Sequence, residues 1–397
     1  MEIKNTKSLK KYNKKAVLSE IVNRQPISRS DLSNYLDVSH TTISNLINEL
    51  KKQKLIVEKR SKSTGGRPPK LLSFNGKNKY TLSIIFKERI ILIGFFNLNK
   101  KLLDKNIIKV KKNSFKDVLN SIDKMANKFF KQFDIDKKTL FGIGISIPNN
   151  YKKNNDKIIN NSIEYLPDLD IEKRLKNVFD YTNIYIENYA NIEAFYEWNH
   201  RFLRKYKNLL YIKAEDSIDS GIILNNELYK GSFSKAGNIA HFIVNPNGKK
   251  CSCGKKGCLI TTSSIKAIED EFNEALWKGA DTKIQDLFAS PYDYKKIIKA
   301  YSKDDPLSKK IINESLNSFS FILTNIIKFI DPELIILAGL FDEFNKNIIN
   351  EFNKKTQEKL SFSKDSIPKI IKRSKENNYQ LKAINSYVFH QLKTNLL

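Results

Sequence analysis

The sequence predicts an α/β protein in which a small winged helix-turn-helix precedes a larger domain of strands alternating with helices. Three observations predict it. Residues 1–75 hold two short capped helical patterns followed by a basic, glycine-tipped hairpin pattern. From Tyr80 onward, apolar strand-like runs alternate with long amphipathic stretches. The length of 397 residues suits two to three domains, since ~100–200 residues per domain is usual.

The hydrophobic fraction of 40% is ample for a core, and no apolar run reaches the ~18 residues of a membrane span. The opening MEIKNTKSLKKYNKK is basic but leads into no apolar stretch, so no secretion signal is expected there. Three clustered cysteines in a long chain predict a reducing, cytoplasmic setting rather than a disulfide framework. The net charge of +27 has two readings, a polyanionic partner or a Lys- and Asn-rich compositional bias. Residues 1–75 carry 16 Lys+Arg against 6 Asp+Glu, and the remainder 54 against 37. Charge is denser in the first segment without being confined to it.

The helix-turn-helix follows from spacing and caps. In NKKAVLSEIVNRQ the apolar residues Ala16, Val17, Ile21 and Val22 fall at helical intervals, and Pro26 ends the run. Ser28 is placed to cap a helix, with Asp31 three residues on in the capping-box manner and Leu32 and Leu36 turned inward. Asp37 and Val38 form the turn. Ser39 caps a second helix over residues 39–53 that buries Ile43, Ile47 and Leu50. Its other face shows His40, Thr41, Thr42, Ser44, Asn45 and Asn48, short hydrogen-bonding side chains without an acid, as a major-groove helix requires. Ser28 and Arg29 stand at the mouth of the first helix as further contacts. Two apolar stretches, 55–57 and 71–74, flank a Gly-Gly tip with Lys62, Arg67 and Lys70, a wing able to reach phosphate or the minor groove. A three-helix bundle used for protein contacts is the plainer alternative.

The remaining elements read in order. YTLSIIFKERIILIGFFNLNKKLL gives two apolar strands joined by a charged turn at 87–89, and LFGIGISIPNN a buried strand running into a loop. NIYIENYANIEAFYEW is a strand, then a helix. NLLYIKAEDSIDSGIILNNELYKGS is read as two strands with their turn at Asn225 and Asn226. SLNSFSFILTNIIKFIDPELIILAGL is a long apolar helix, a turn at Asp331 and Pro332, and a buried strand.

All the cysteines lie in HFIVNPNGKKCSCGKKGCLITT. His241, Cys251, Cys253 and Cys258 offer one imidazole and three thiolates, a closed set of four that suits tetrahedral structural Zn²⁺. No position stays open for water, so hydrolytic chemistry is not expected. Unconnected surface thiols and a redox pair at Cys251 and Cys253 are the alternatives.

The wing text STGGRPPKLLSFN, the helix pair before it and the cysteine cluster together resemble the ROK family (repressor, open reading frame, kinase), in its transcriptional-repressor branch. The resemblance spans nearly the whole chain. It implies a winged helix-turn-helix over 1–75, then over 76–397 a two-lobed, actin-like domain of the sugar-kinase type, with a zinc loop at 241–258. It also implies double-stranded DNA as partner, a palindromic operator read by a homodimer or higher homo-oligomer, and a small-molecule effector.

Kinases of the family need glycine-rich turns for nucleotide, because backbone N–H groups must approach phosphate closely. Here the first turn, IIFKERI, has no glycine, AEDSIDSGIIL keeps only Gly221, and the adenosine turn is reduced to Ala338, Gly339 and Leu340. Transfer to a hydroxyl also needs a carboxylate base, where the family has Asn-Asp and this chain has Asn188 and Tyr189. No kinase activity is therefore expected. Two more family carboxylates that hold sugar are replaced, by Asn238 and by Ile260. Asn188, Tyr189, Asn238, His241 and Ile260 then line either a site for a more apolar effector or one that binds sugar weakly or not at all. The expected function is a DNA-binding regulator, most simply a repressor of carbohydrate genes. The alternative is a regulator that senses or sequesters a partner through its second domain.

Overall fold

The structure, a computed structural model, describes residues 6–60, 70–76, 79–110, 114–148, 151–152, 157–158, 163, 171–179, 183–283, 292–360 and 367–393. The chain forms two compact units. The first comprises Met1–Ile192, Asn199–Leu203 and Asn378–Leu397; the second comprises Glu193–Trp198 and Arg204–Asn377.

The first unit begins with α1 (Thr6–Arg24), α2 (Arg29–Leu36) and α3 (His40–Lys52). Ser28 caps α2 in a capping box with Asp31, and Asp37 in the left-handed region at φ 49° ends that helix. Ser39 caps α3 by accepting from the Thr42 amide. The antiparallel hairpin β1 (Ile56–Arg60) and β2 (Lys70–Phe74) follows, and Ile27 pairs with Leu72 beside it. Val17, Leu18 and Ile21 of α1 pack with Leu32, Ile43, Leu46, Ile47, Leu50 and Leu72. Leu46 is an inward residue absent from the sequence reading.

Then come β3 (Tyr80–Phe86), β4 (Ile90–Asn97), β5 (Leu102–Lys109), α4 (Phe115–Gln132), β6 (Leu140–Ile147), the two-residue strands β7 (Tyr151–Lys152) and β8 (Lys157–Ile158), α5 (Ile171–Phe179), β9 (Ile184–Asn188) and α6 (Tyr189–Tyr196). The sheet order is β5-β4-β3-β6-β9, with β3, β6 and β9 parallel. Strand side chains alternate faces. Ile143, Ile145 and Ile147 of β6 join the core formed with α4. Between them, Gly142 and Gly144 face the C-terminal helix α12, which runs Tyr379–Lys393 and is numbered after the elements of the second unit. A Cβ on Gly144 would lie 2.2 Å from a Val388 methyl, so only glycine admits this helix so close.

The second unit holds β10 (Leu209–Ala214), β11 (Ile218–Leu224), β12 (Glu227–Tyr229), α7 (Ile260–Ser263), α8 (Ile265–Trp277), α9 (Tyr294–Tyr301), α10 (Pro306–Ile330), β13 (Leu334–Gly339), α11 (Lys346–Glu358) and β14 (Lys369–Lys372). The order is β12-β11-β10-β13-β14, with β10, β13 and β14 parallel. The stretch read as two strands is three: β10 already reverses at Glu215 to Ser217, and Asn225 and Asn226 make a second turn into the short β12. The acid-rich first turn is short enough to be passed over as strand. Asp305 caps α10 with Pro306 at its first turn, and Asp331 in the left-handed region ends it.

Candidate nucleic-acid interface and metal centre

On α3, His40, Thr41, Asn45 and Asn48 are exposed, while Thr42 and Ser44 are half-buried. Thr42 also shares a hydrogen bond with the Ser39 hydroxyl at 2.9 Å. Glu49, the helix's one acid, is turned to Lys10 and Lys14 of α1, so the exposed face stays free of negative charge. Ser28 is engaged in its cap, and Arg29 reaches Glu58 of β1 at 3.0 Å, with Lys51 on the same carboxylate at 2.8 Å. Arg29 thus braces α2 against the wing strand. Lys70 is exposed opposite Arg60 at the outer end of the paired strands, whereas Lys62 and Arg67 lie outside the described residues.

His241, Cys251, Cys253 and Cys258 come together, with all four ligand atoms within 4.8 Å of one another. The Cys251 Sγ lies 3.5 Å from His241 Nδ1, and Cys253 Sγ 3.6 Å from Cys258 Sγ. A tetrahedron with metal–sulfur bonds of ~2.3 Å has edges of roughly 3.5–3.8 Å, so these separations suit one Zn²⁺. The loop is held by backbone bonds: Cys251 N–H donates to Lys255 O at 2.8 Å, and Gly257 N–H to Lys249 O at 2.9 Å. Gly257 has φ +66°, and a Cβ there would lie 1.5 Å from the Asn245 carbonyl oxygen. Burial, then Lys255, holds His241 below the usual imidazole range, which favours the neutral ligand form. Burial pushes the Cys258 thiol up to about 12, and a dication is the charge that would stabilise its thiolate.

The candidate effector residues divide between the units. In the first, Asn188 Oδ1 caps α6 by accepting from the Asn191 amide at 2.7 Å, and the Tyr189 hydroxyl donates to the Phe86 carbonyl. In the second, Asn238 lines a groove between residues 229–242 and the end of α10, and Ile260, half-buried, packs on the core.

One feature of the second unit escapes sequence reading. The crevice beyond the carboxyl ends of parallel strands is where such sheets take ligands. There, Lys213 Nζ meets Glu193 Oε1 at 2.9 Å and Glu215 at 3.6 Å, Tyr211 donates to Glu193 at 2.6 Å, and Arg373 joins Glu193 to Asp342. Burial opposes charge on Lys213, but Glu193 and Glu215 more than offset it and hold its pKa above the usual range. The chain's own ions pair with one another at this end of the sheet. The available signal was a lysine inside the apolar run LLYIKA.

Residues 89–382 match the ROK family model, and residues 11–65 match a model of the MarR family. The chain is 28% identical over 365 residues to the xylose repressor of Bacillus subtilis, covering 91% of this chain and 90% of the repressor. It is 22% identical over 357 residues to the DNA-binding transcriptional dual regulator NagC of Escherichia coli, covering 88% and 85%. A solved ROK family transcriptional regulator, a homologue of the E. coli MLC protein, superposes with a TM-score of 0.80 at 20% identity over 98% of both chains.

Proposed function

The chain belongs to the ROK family, and we propose that it is a DNA-binding transcriptional repressor of sugar-related genes, cytoplasmic and without kinase activity. Residues 1–75 read the DNA and residues 76–397 carry effector response and self-association. The observation that carries the reading is the acid-free exposed face of α3, held by its Ser39 cap and set in a strongly basic unit. The first unit carries 41 Lys+Arg against 19 Asp+Glu; the second carries 29 against 24. A compositional bias would load both units alike, so the asymmetry favours a polyanionic partner for the first.

In this reading His40, Thr41, Asn45 and Asn48 meet base edges, with Lys70 and the wing residues Lys62 and Arg67 on backbone or minor groove. One short helix reads too few base pairs alone, so two copies read a palindromic operator. Zinc held by His241, Cys251, Cys253 and Cys258 braces the loop and does no chemistry. The lost carboxylates at 189, 238 and 260, together with the glycine-poor turns, support a regulator that neither binds nucleotide nor phosphorylates sugar. The effector is a sugar or a less polar molecule.

Binding to the DNA upstream of its own gene, followed by fluorescence anisotropy against salt, tests this. Sequence-preferring binding that weakens steeply with salt is expected. Equal affinity for scrambled DNA, or ATP-dependent sugar phosphorylation by the purified chain, would overturn it.

A further inference from the structure

The three thiols of the metal set do not share one environment. Cys251 is 4% exposed and Cys258 0%, whereas Cys253 is exposed. Gly254, the next residue, has φ +89° and open space where a Cβ would stand, so the tip that carries Cys253 is uncovered among the described residues. Lys250, Lys255 and Lys256 are exposed on the same loop, with Lys250 and Lys256 paired across it. An accessible sulfur among cations is the setting in which a cysteine is a reactive thiolate. Cys253 Sγ lies 3.6 Å from Cys258 Sγ, and the residues between them include Gly254 and Gly257. A disulfide needs its sulfurs at ~2.05 Å, so closing the pair takes a shift of roughly 1.5 Å. Cys251 is the poorer partner: its Sγ lies against His241 Nδ1 at 3.5 Å, and a single residue separates it from Cys253.

We propose that Cys253 is an oxidation site, where a hydroperoxide couples it to Cys258 as a disulfide and so opens the metal loop. Burial sets the order of events. Cys258 is shielded from a solvent oxidant, so the exposed Cys253 reacts first. With hydrogen peroxide, the Cys253 thiolate attacks one oxygen and the O–O bond breaks. The sulfur becomes a sulfenic acid, and hydroxide leaves and takes a proton from water. The Cys258 thiolate then attacks that sulfur, an S–S bond forms and a second hydroxide leaves. The two sulfurs together give up two electrons, and the peroxide takes them. His241 and Cys251 are then all that is left of a set of four, too few to hold structural Zn²⁺. Metal release rests on the zinc reading; the sulfur pairing rests on the distances and the exposure.

Hydrogen peroxide added to the zinc-loaded full chain tests it, with released metal read by a chromogenic chelator and cysteine pairing by peptide mass mapping. The wild type should release its one zinc per chain and yield a Cys253–Cys258 peptide pair lighter by two hydrogen atoms. A dithiol reductant with added Zn²⁺ should reverse both. Cys253→His is the variant, because two imidazoles and two thiolates also make a closed zinc set. It should bind metal and keep it under the same peroxide. Metal retained by the wild type, a disulfide joining another pair, or equal release from Cys253→His would overturn the proposal. Should the variant fail to load with metal, the mapped product in the wild type decides. Cys253 joined to Cys258 supports the proposal, and any other product, a sulfinic acid included, sinks it. A chain that purifies without zinc yet forms this disulfide removes the metal reading and leaves the oxidation site standing.

Discussion

Phe74, the last residue of the wing strand β2, meets Phe389 of the C-terminal helix edge to face, with ring centroids 5.1 Å apart. Phe389 is 1% exposed and belongs to the same core as Ile43, Ile47 and Leu50 of the helix-turn-helix. On the same helix, the preceding Val388 and Ile384, five residues back, fill the space that Gly144 leaves on the first sheet. One helix therefore serves two cores. Phe389→Ala should cost about 3–5 kcal/mol, as for other large-to-small core changes. It should also weaken operator binding, because the α3 core loses a wall. Urea unfolding with parallel DNA titration measures both. An unchanged midpoint would mean that the two rings touch without supporting each other.

The cysteine loop makes a second prediction. Its turns are closed by backbone bonds and by Gly257, but three of its four side-chain anchors are thiols brought within 4.8 Å. With zinc removed by chelation, or with Cys258→Ser, residues 241–258 should become sensitive to protease and reactive to thiol reagents. Metal analysis should return one zinc per wild-type chain and well under one for the variant. A wild-type chain with no zinc and slow thiol reaction would remove the metal from the account.

The ion network makes a third. Glu193 is 2% exposed and partners Lys213, Arg373 and Tyr211. Glu193→Ala takes from buried Lys213 its nearest carboxylate and from Arg373 one of its two acids, and should destabilise by about 3–5 kcal/mol. Adding Lys213→Met to Glu193→Ala removes that lysine and should recover much of the loss. Thermal melts of the single and double variants decide it; a double variant no better than the single would show that the pair is not energetically coupled.

These residues also mark what the sequence disclosed and what it withheld. The helix-turn-helix is legible because caps and helical spacing are local, so Ser28, Asp31 and Ser39 announce themselves within a few residues. The metal set is legible because eight positions hold three of its four ligands, and the family pattern supplies the histidine. Phe389 is not legible as part of the DNA-binding core, since it lies more than 300 residues beyond β2 and only the tertiary fold brings the two together. Arg29 reads as a DNA contact from its position, yet Glu58, on a different element, claims it. Phe321 and Phe329 of α10 are exposed, and apolar composition along so long a helix does not mark which of its faces is bare.

Asp219 makes the last prediction. It is the second residue of β11, 5% exposed, and its Oδ2 accepts from the Ser217 hydroxyl at 3.1 Å. Its Oδ1 is buried with no hydrogen-bond partner among the described residues. Burial raises its pKa from 3.8 to about 7, outweighing the Ser217 bond and the nearby Lys213 ammonium. The folded state thus holds this proton more tightly than the unfolded chain does. The stability this supplies is complete below pH ~4, is lost as the pH climbs towards 7, and changes little above that. Asp219→Asn keeps the shape and cannot ionise. Its advantage over wild type should grow by up to about 1.4 kcal/mol per pH unit between pH 4 and 7, then level off. Urea midpoints of both proteins from pH 5 to 8 read this directly. A gap that stays constant across the range would show that water or a moving side chain reaches the carboxylate and that it ionises normally.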